Sequence, residues 1–445
     1  MKKMTSEEVL KKCKTEKIKF INLQFSDIDG IVKSVQIPTD QFPEAIKRGK
    51  WFDGSSIEGF ARIAESDMFL LPDLDTFAVL PFDEDEYLSA RVICDVMKPD
   101  GTPFDGDPRY ILKKNLEEAK KLGYGYNVGP EIEFFLFKRE EDGQIDLSPT
   151  DGAGYFDFSD DWAVFVRKEI ANVASKMGIE IETIHHEVST SQHEIDFKYS
   201  DALTAADNVV TLKFIIKAVA ERFGLYATFM PKPVFGINGS GMHVHQSLSK
   251  NGKNAFFDKK DEYGLSNLAK KFIAGQLDQA KGICMVLSPL VNSYKRLVPG
   301  YEAPVYLSWA RINRSALIRV PQISSGAEES TRIELRSPDP SCNPYLAFSL
   351  MLAAGMHGVK NDLKLLDPVE ENIYKMNEKE RSSKRIKTLP DSLGSAIEEF
   401  KRSGVAGGAL SKHVFDRLVE SNRIEWDNYR CQVSNWEVDE YLGKF

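Results

Sequence analysis

The chain has 445 residues, 42% of them hydrophobic and 28% charged, with a formal net charge of −9. That length suits two or more packed domains, and the balance suits a globular enzyme rather than a disordered or membrane-embedded chain. The acidic balance disfavours a general nucleic-acid binder, and five scattered cysteines with no CxxC pair argue against a disulfide frame or a zinc site.

No apolar segment follows Met-Lys-Lys-Met-Thr-Ser-Glu-Glu at the start, and no apolar run elsewhere is long enough to span a bilayer. A cytoplasmic location is expected, with neither membrane nor nucleic acid as partner. Residues 6–13 read as a short helix, and 18–25 and 31–37 as strands joined by the turn Asp27-Ile28-Asp29-Gly30. A further strand is expected at 88–96. Turn residues crowd 100–108, so a small α+β domain is expected over 1–104 and a larger one over 105–445. Asp107 as N-cap and Pro108 behind it open the next helix. Strands then alternate with long helices at 161–177, 201–223 and 264–281. The charged run 379–387 reads as solvated surface.

Within Gly129-Pro130-Glu131-Ile132-Glu133-Phe134-Phe135, two carboxylates sit two residues apart in a stretch apolar enough to be buried. Alternate strand residues share a face, so both carboxylates point the same way. Two adjacent anions in a core repel unless something positive lies between them, and a hard divalent cation fits oxygen ligands. The same polar period recurs in His185-His186-Glu187, Glu194, His243-Val244-His245 and Arg332-Ile333-Glu334-Leu335-Arg336. Carboxylates with histidine suit Mg²⁺ or Mn²⁺, and arginines suit phosphate or carboxylate oxygens. Together they point to metal-assisted phosphoryl transfer.

Taken in order, Asp53-Gly54-Ser55-Ser56, the Glu131 stretch, His186-Glu187, Gln192-His193-Glu194, Asn238-Gly239-Ser240-Gly241-Met242-His243, Lys295-Arg296 through Tyr301-Glu302-Ala303-Pro304, Asn313-Arg314-Ser315 and Arg332 through Pro340 resemble type I glutamine synthetase. The resemblance runs along essentially the whole chain and is closest to the short α form. It implies an α+β fold: an N-terminal β-grasp domain and a larger catalytic domain with a curved antiparallel sheet and flanking helices. It also implies a homo-dodecamer of two stacked hexamers, with active sites between neighbouring subunits, the Asp53 loop donated by one of them, and residues 436–445 docking into the facing ring.

The implied activity is ATP-dependent ligation of ammonium to the γ-carboxylate of glutamate, through γ-glutamyl phosphate. Two or more Mg²⁺ or Mn²⁺ ions per subunit are implied, held by Glu131, Glu187 and Glu194 on the glutamate side and by Glu133, His243 and Glu334 on the ATP side. Gly239, His243, Arg296 and Arg336 match glutamate-holding positions. Asp53, Ser56, Tyr155 and Glu302 match the ammonium site, and Glu302 stands on a lid that also closes over glutamate. Glu182, His245, Ser247, Arg314, Arg319 and Arg332 match the ATP side, and Asp53, Glu302 and Arg314 are the expected catalytic side chains. Arg62 matches the α-form arginine of feedback inhibition by glutamine; regulatory proteins are possible further partners. A γ-glutamyl–amine ligase of the same superfamily would open the pocket that Asp53, Ser56, Tyr155 and Glu302 keep small. A non-catalytic ring-forming regulatory homologue would have lost metal ligands, and none is lost here.

Overall fold

The structure, a computed structural model, describes residues 4–55, 57, 67–82, 87–157, 162–301 and 303–445. Ser56, Arg62 and Glu302 lie outside the described residues.

The first helix, Ser6–Thr15, starts where Thr5 accepts from the Glu8 amide and Glu8 reaches back to the Thr5 amide, a reciprocal cap. Five strands follow: β1 (Phe20–Ser26), β2 (Val32–Pro38), β3 (Lys50–Asp53), β4 (Asp67–Val79) and β5 (Ser89–Met97). They form one sheet in the order β2-β1-β5-β4-β3, with β1 parallel to β5 and the other pairs antiparallel. Ile21, Leu23, Leu70, Val92 and Cys94 pack beneath it against Val9 and Phe42. The β1–β2 turn matches expectation. Gly30 sits at φ +78°, where a side chain would be strained, and the buried Asp27 carboxylate accepts from the amides of Asp29 (3.1 Å) and Ile31 (2.9 Å).

The remaining strands are β6 (Gly125–Arg139), β7 (Ile145–Asp146), β8 (Ile181–His186), β9 (Gln192–Phe197), β10 (Ser200–Asp201), β11 (Leu225–Thr228), β12 (Val244–Lys250), β13 (Lys253–Asn254), β14 (Tyr306–Ala310), β15 (Ala316–Arg319) and β16 (Ile333–Leu335). The main path is β14-β15-β16-β12-β6-β9-β8, and β6 also pairs with β7, β10 and β11. The sheet is not wholly antiparallel, because β14 and β15 run parallel. Parallel neighbours usually need a long crossover. Here the return 311–315 is pinned by Asn313, whose amide nitrogen donates to the carbonyls of Val369 (2.9 Å) and Glu371 (2.6 Å), while its oxygen accepts from the Ser315 amide (2.9 Å).

Long helices back the sheet. Ala202–Arg222 is capped by Asp201. Asn267–Leu287 starts later than its apolar pattern suggests, because Ser266 is the cap, and runs further because Ile283 to Leu287 stay buried. Its Gly275 meets Gly358 of helix Pro344–Lys360 so closely that a Cβ on Gly275 would lie 2.8 Å from the Gly358 Cα. Helix Pro108–Lys121, with Asp107 as cap, packs chiefly on helix Pro344–Lys360 and reaches the first sheet at β5. Its buried Arg109 donates to Asp73 (2.7 Å) and Asp95 (2.8 Å) of that sheet, and to both carboxylate oxygens of Asp207 on helix Ala202–Arg222. No helix among the described residues is long and apolar enough to cross a membrane.

Candidate active site

Pairing register gathers the polar side chains on one face of the larger sheet. On β6, Glu131 lies opposite Asp196 of β9, and Glu133 lies opposite Glu194. Glu194 in turn faces His185 of β8. On the other flank, His245 of β12 faces Glu334 of β16, and Glu334 faces Arg319 of β15. His243, just ahead of β12, meets β6 through its carbonyl, which accepts from the Glu131 amide (2.9 Å). Residues opposite each other in a ladder share a face. The expectation of a shared face for Glu131 and Glu133 is therefore met and extended across neighbouring strands.

Over this face lies a cavity of about 170 Å³, lined by Glu131, Glu133, Glu187, Glu194, His243 and Glu334 and by Arg296, Arg314, Arg319 and Arg336. Gly239 and Tyr155 also line it. A second cavity of about 360 Å³ is lined by Glu182, His245, Ser247 and Arg332. Glu131 belongs to both linings. Arg314 and Arg319, matched to the ATP side, open into the first cavity. Asp53 ends β3 as an exposed residue whose carboxylate accepts from the Ser55 amide (2.8 Å), and it lines neither cavity.

Too much negative charge is buried here to be stable unaided. Burial and neighbouring Glu187 push the Glu133 carboxyl up to about 8, although Arg296 and the Gly241 amide pull it down. Burial, then Glu133 and Asp196, push Glu194 far above the carboxylate range. Burial also acts on Glu131, but His243 (3.2 Å) and His245 (2.7 Å) beside its two oxygens hold it well below that range. Burial is likewise overcome at Glu334, held low by His245 and Arg336. Burial lowers His243, leaving its imidazole disposed to be neutral.

Backbone and arginine geometry complete the first cavity. Glu133 Oε2 accepts from the Gly241 amide (2.8 Å) and from Gln192 Nε2 (3.0 Å). A Cβ on Gly241 would come within 2.5 Å of Arg296 Nη2 and 3.0 Å of His243 Nε2, so glycine keeps this cradle open. Arg296 is held by the carbonyls of Ser337 (2.9 Å) and Arg336 (3.0 Å). Arg336 pairs with Glu334 (3.2 Å) and donates to the Arg314 carbonyl, while Arg319 donates to Glu334. Arg332 Nε donates to His245 Nδ1 (3.2 Å), so His245 bridges Arg332 and Glu131.

The family model described as the glutamine synthetase catalytic domain matches residues 105–441, and that described as the glutamine synthetase beta-Grasp domain matches 17–99. A glutamine synthetase of Clostridium saccharobutylicum is 52% identical over 446 residues, covering 100% of both chains. One from Thermus thermophilus is 50% identical, covering 99% of each. The chain belongs to the glutamine synthetase family. Among solved structures, a cryo-EM glutamine synthetase of Plasmodium falciparum is similar at a TM-score of 0.89 and 26% identity, over 98% of this chain and 99% of that one. A structure described as a GmaS/ADP complex is similar at 0.87 and 30%, with the same coverage.

Glutamine synthetases use ATP and divalent metals, and this donor set fits such ions. Among the described residues, ligand atoms of Glu131, His243 and Glu334 lie within 4.8 Å of one another, as do those of His185, Glu194 and Asp196. Oxygen-rich sets with one imidazole suit hard divalent cations, and the raised Glu133 and Glu194 are groups that such a charge would return to carboxylates. His243 and Glu334 also stand together in one of the implied ligand sets, and all six implied ligands line the first cavity. Three contributors carried no role in the sequence reading. Gln192 and Gly241 stood inside quoted motifs without a role of their own, and Asp196 becomes apparent only through its register with Glu131.

Proposed function

We propose that this chain ligates ammonium to the γ-carboxylate of L-glutamate, with conversion of ATP to ADP and phosphate. The observation that carries the proposal is the carboxylate–arginine cavity joined through Glu131 to a second, roomier cavity. The ADP named for a 30% identical relative supports a nucleotide in the second cavity, beside Glu182, His245, Ser247 and Arg332.

A carboxylate resists ammonia because oxide is a poor leaving group. Transfer of the γ-phosphoryl group gives an acyl phosphate, from which phosphate leaves readily. Arg296 and Arg336, with the Gly239 backbone, would hold glutamate. Arg314, Arg319 and Arg332 would spread the charge of the transferring phosphoryl oxygens. Two or more Mg²⁺ or Mn²⁺ ions, held by Glu131, Glu187 and Glu194 and by Glu133, His243 and Glu334, would neutralise carboxylate and phosphate charge when bound.

Asp53, with Ser56, Tyr155 and Glu302, would bind ammonium, and Asp53 would take the proton that makes it nucleophilic. Glu302 on its lid would keep water from the acyl phosphate. Asp53 is exposed and lines neither cavity, which supports a site completed by a neighbouring subunit. The exposed Trp436, Leu442 and Phe445 support a tail that docks elsewhere in a dodecamer. A particle mass far from twelve chains by light scattering would refute that assembly. The reading keeps the domain division at 104/105 and a cytoplasmic location.

Phosphate release from ATP, with Mg²⁺ and glutamate, tests the function. Ammonium-dependent release that falls at least about a hundredfold in Asp53→Ala is expected. Release driven by an organic amine but not ammonium would move the assignment to the amine ligases. No release from the assembled protein would favour a regulatory homologue. For feedback, Arg62→Ala should raise the glutamine concentration needed for half-inhibition while turnover stays near wild type. An unchanged inhibition curve would remove Arg62 from that role.

A further inference from the structure

Behind the β8–β9 hairpin, outside both cavities, lies a buried polar cluster centred on Asp151. Its side chain is 4% exposed, and that of His186 beside it is 0% exposed. Asp151 Oδ1 accepts from His186 Nε2 (3.1 Å), the Ser191 amide (3.2 Å) and the Ala153 amide (3.3 Å). The other oxygen lies 3.2 Å from the same Ser191 amide and 3.4 Å from Thr150 Oγ1. His186 Nδ1 faces the Glu187 carbonyl at 2.7 Å, so both ring nitrogens meet acceptors. Arg167 Nη1 reaches His193 Nδ1 at 2.7 Å, and one ligand atom each of Asp151, His186 and His193 lies within 4.8 Å of the others.

The cluster joins two segments. One is the loop that carries Tyr155: the Thr150 amide donates to Ser191 Oγ (2.7 Å) and the Phe156 amide to the His186 carbonyl (3.1 Å). The other is the turn between β8 and β9, where the Glu187 amide donates to the Gln192 carbonyl (2.8 Å). Each segment has one non-glycine residue in the left-handed region, Phe156 at φ +62° and Ser191 at φ +63°. Such residues are strained and persist where surrounding contacts hold them. On the cavity side, the Tyr155 and Phe156 rings rest on His185 with centroids at 5.6 and 4.6 Å, and His185 Nε2 lies 3.3 Å from Glu194.

We propose that Asp151 is a positioning residue: it fastens the loop bearing Tyr155 to the hairpin bearing Glu187, Gln192 and Glu194, and so sets the ammonium end of the cavity. The proposal rests on the ligase reading above. His245, Ser247 and Arg332 stand on other strands or beside them, and Glu182, although on β8, is at the opposite end of that strand from His186, so the nucleotide side should be spared.

The test compares full-length wild type with Asp151→Ala and Asp151→Asn. In the alanine variant the KM for ammonium should rise about tenfold or more while the KM for ATP stays within about twofold. Mn²⁺ affinity without substrates, read from the free-ion paramagnetic resonance signal, should weaken by a similar factor. Asparagine retains an oxygen for the Ser191 and Ala153 amides and should restore part of both. A folded alanine variant with wild-type ammonium KM and Mn²⁺ affinity overturns the proposal, whatever its kcat. If alanine does not fold, wild-type values of both quantities in the asparagine variant overturn it. Absence of ammonium-dependent turnover in the wild type would instead defeat the ligase reading, and the Mn²⁺ measurement would still decide the role of Asp151.

Discussion

Glu133 shows how a residue can serve a site at the expense of the fold. It is buried, lies opposite Glu194, and is held by one amide and one carboxamide. With its carboxyl pushed up to about 8 by burial and Glu187, it is a group whose charge the folded chain resists. Glutamine has nearly the same shape and no charge. Glu133→Gln should therefore lower kcat/KM by about 10² to 10³ while leaving the metal-free thermal midpoint unchanged or higher. A clear drop in that midpoint would mean that Glu133 is structural. Its partner at Gly241 is equally constrained, since any side chain there would crowd Arg296 and His243.

At the scale of elements, Arg109 is the pin between the two sheets' supporting structure. One guanidinium answers Asp73, Asp95 and Asp207, and Tyr345 Oη donates to Asp207 at 2.7 Å. Removing the cation leaves the largely buried Asp207 with no charged partner, while Asp73 and Asp95 keep Lys113 at 3.8 and 2.7 Å, so the cost is set by Asp207 and is about 3 kcal/mol. Arg109→Ala should lose that much in denaturant unfolding, and a loss under about 1 kcal/mol would show the pin to be idle. Nothing local marks Arg109: it follows Pro108 in the first turn of a helix, and its partners are remote in sequence. By contrast, elements that were read, such as the strands at 18–25 and 88–96 and the helix at 201–223, lie within a few residues of those observed, because alternation and caps such as Asp107 are local signals, whereas β4 and helix Pro344–Lys360 were not read. The Glu131–Glu133 pair was legible for the same reason. Asp196, Gln192 and Asp151 were not, because their places depend on which strands become neighbours and in what register. The parallel β14–β15 pair escaped reading because its short return depends on Asn313 reaching carbonyls at Val369 and Glu371.

At the scale of the whole molecule, the absence of Asp53 from the linings of both cavities has a genetic consequence. A ring of head-to-tail contacts gives each junction one face from each of two chains. If Asp53 serves the junction on one side of its subunit and Arg336 the junction on the other, a chain defective in either is inactive alone. Two such dead chains, Asp53→Ala and Arg336→Ala, need not be dead together. Mixed at random in equal amounts, they should form about a quarter of their junctions from two intact faces. Co-expression would then revive glutamine formation that neither chain supports, whereas a mixture as silent as its parts would mean that each subunit works with its own residues.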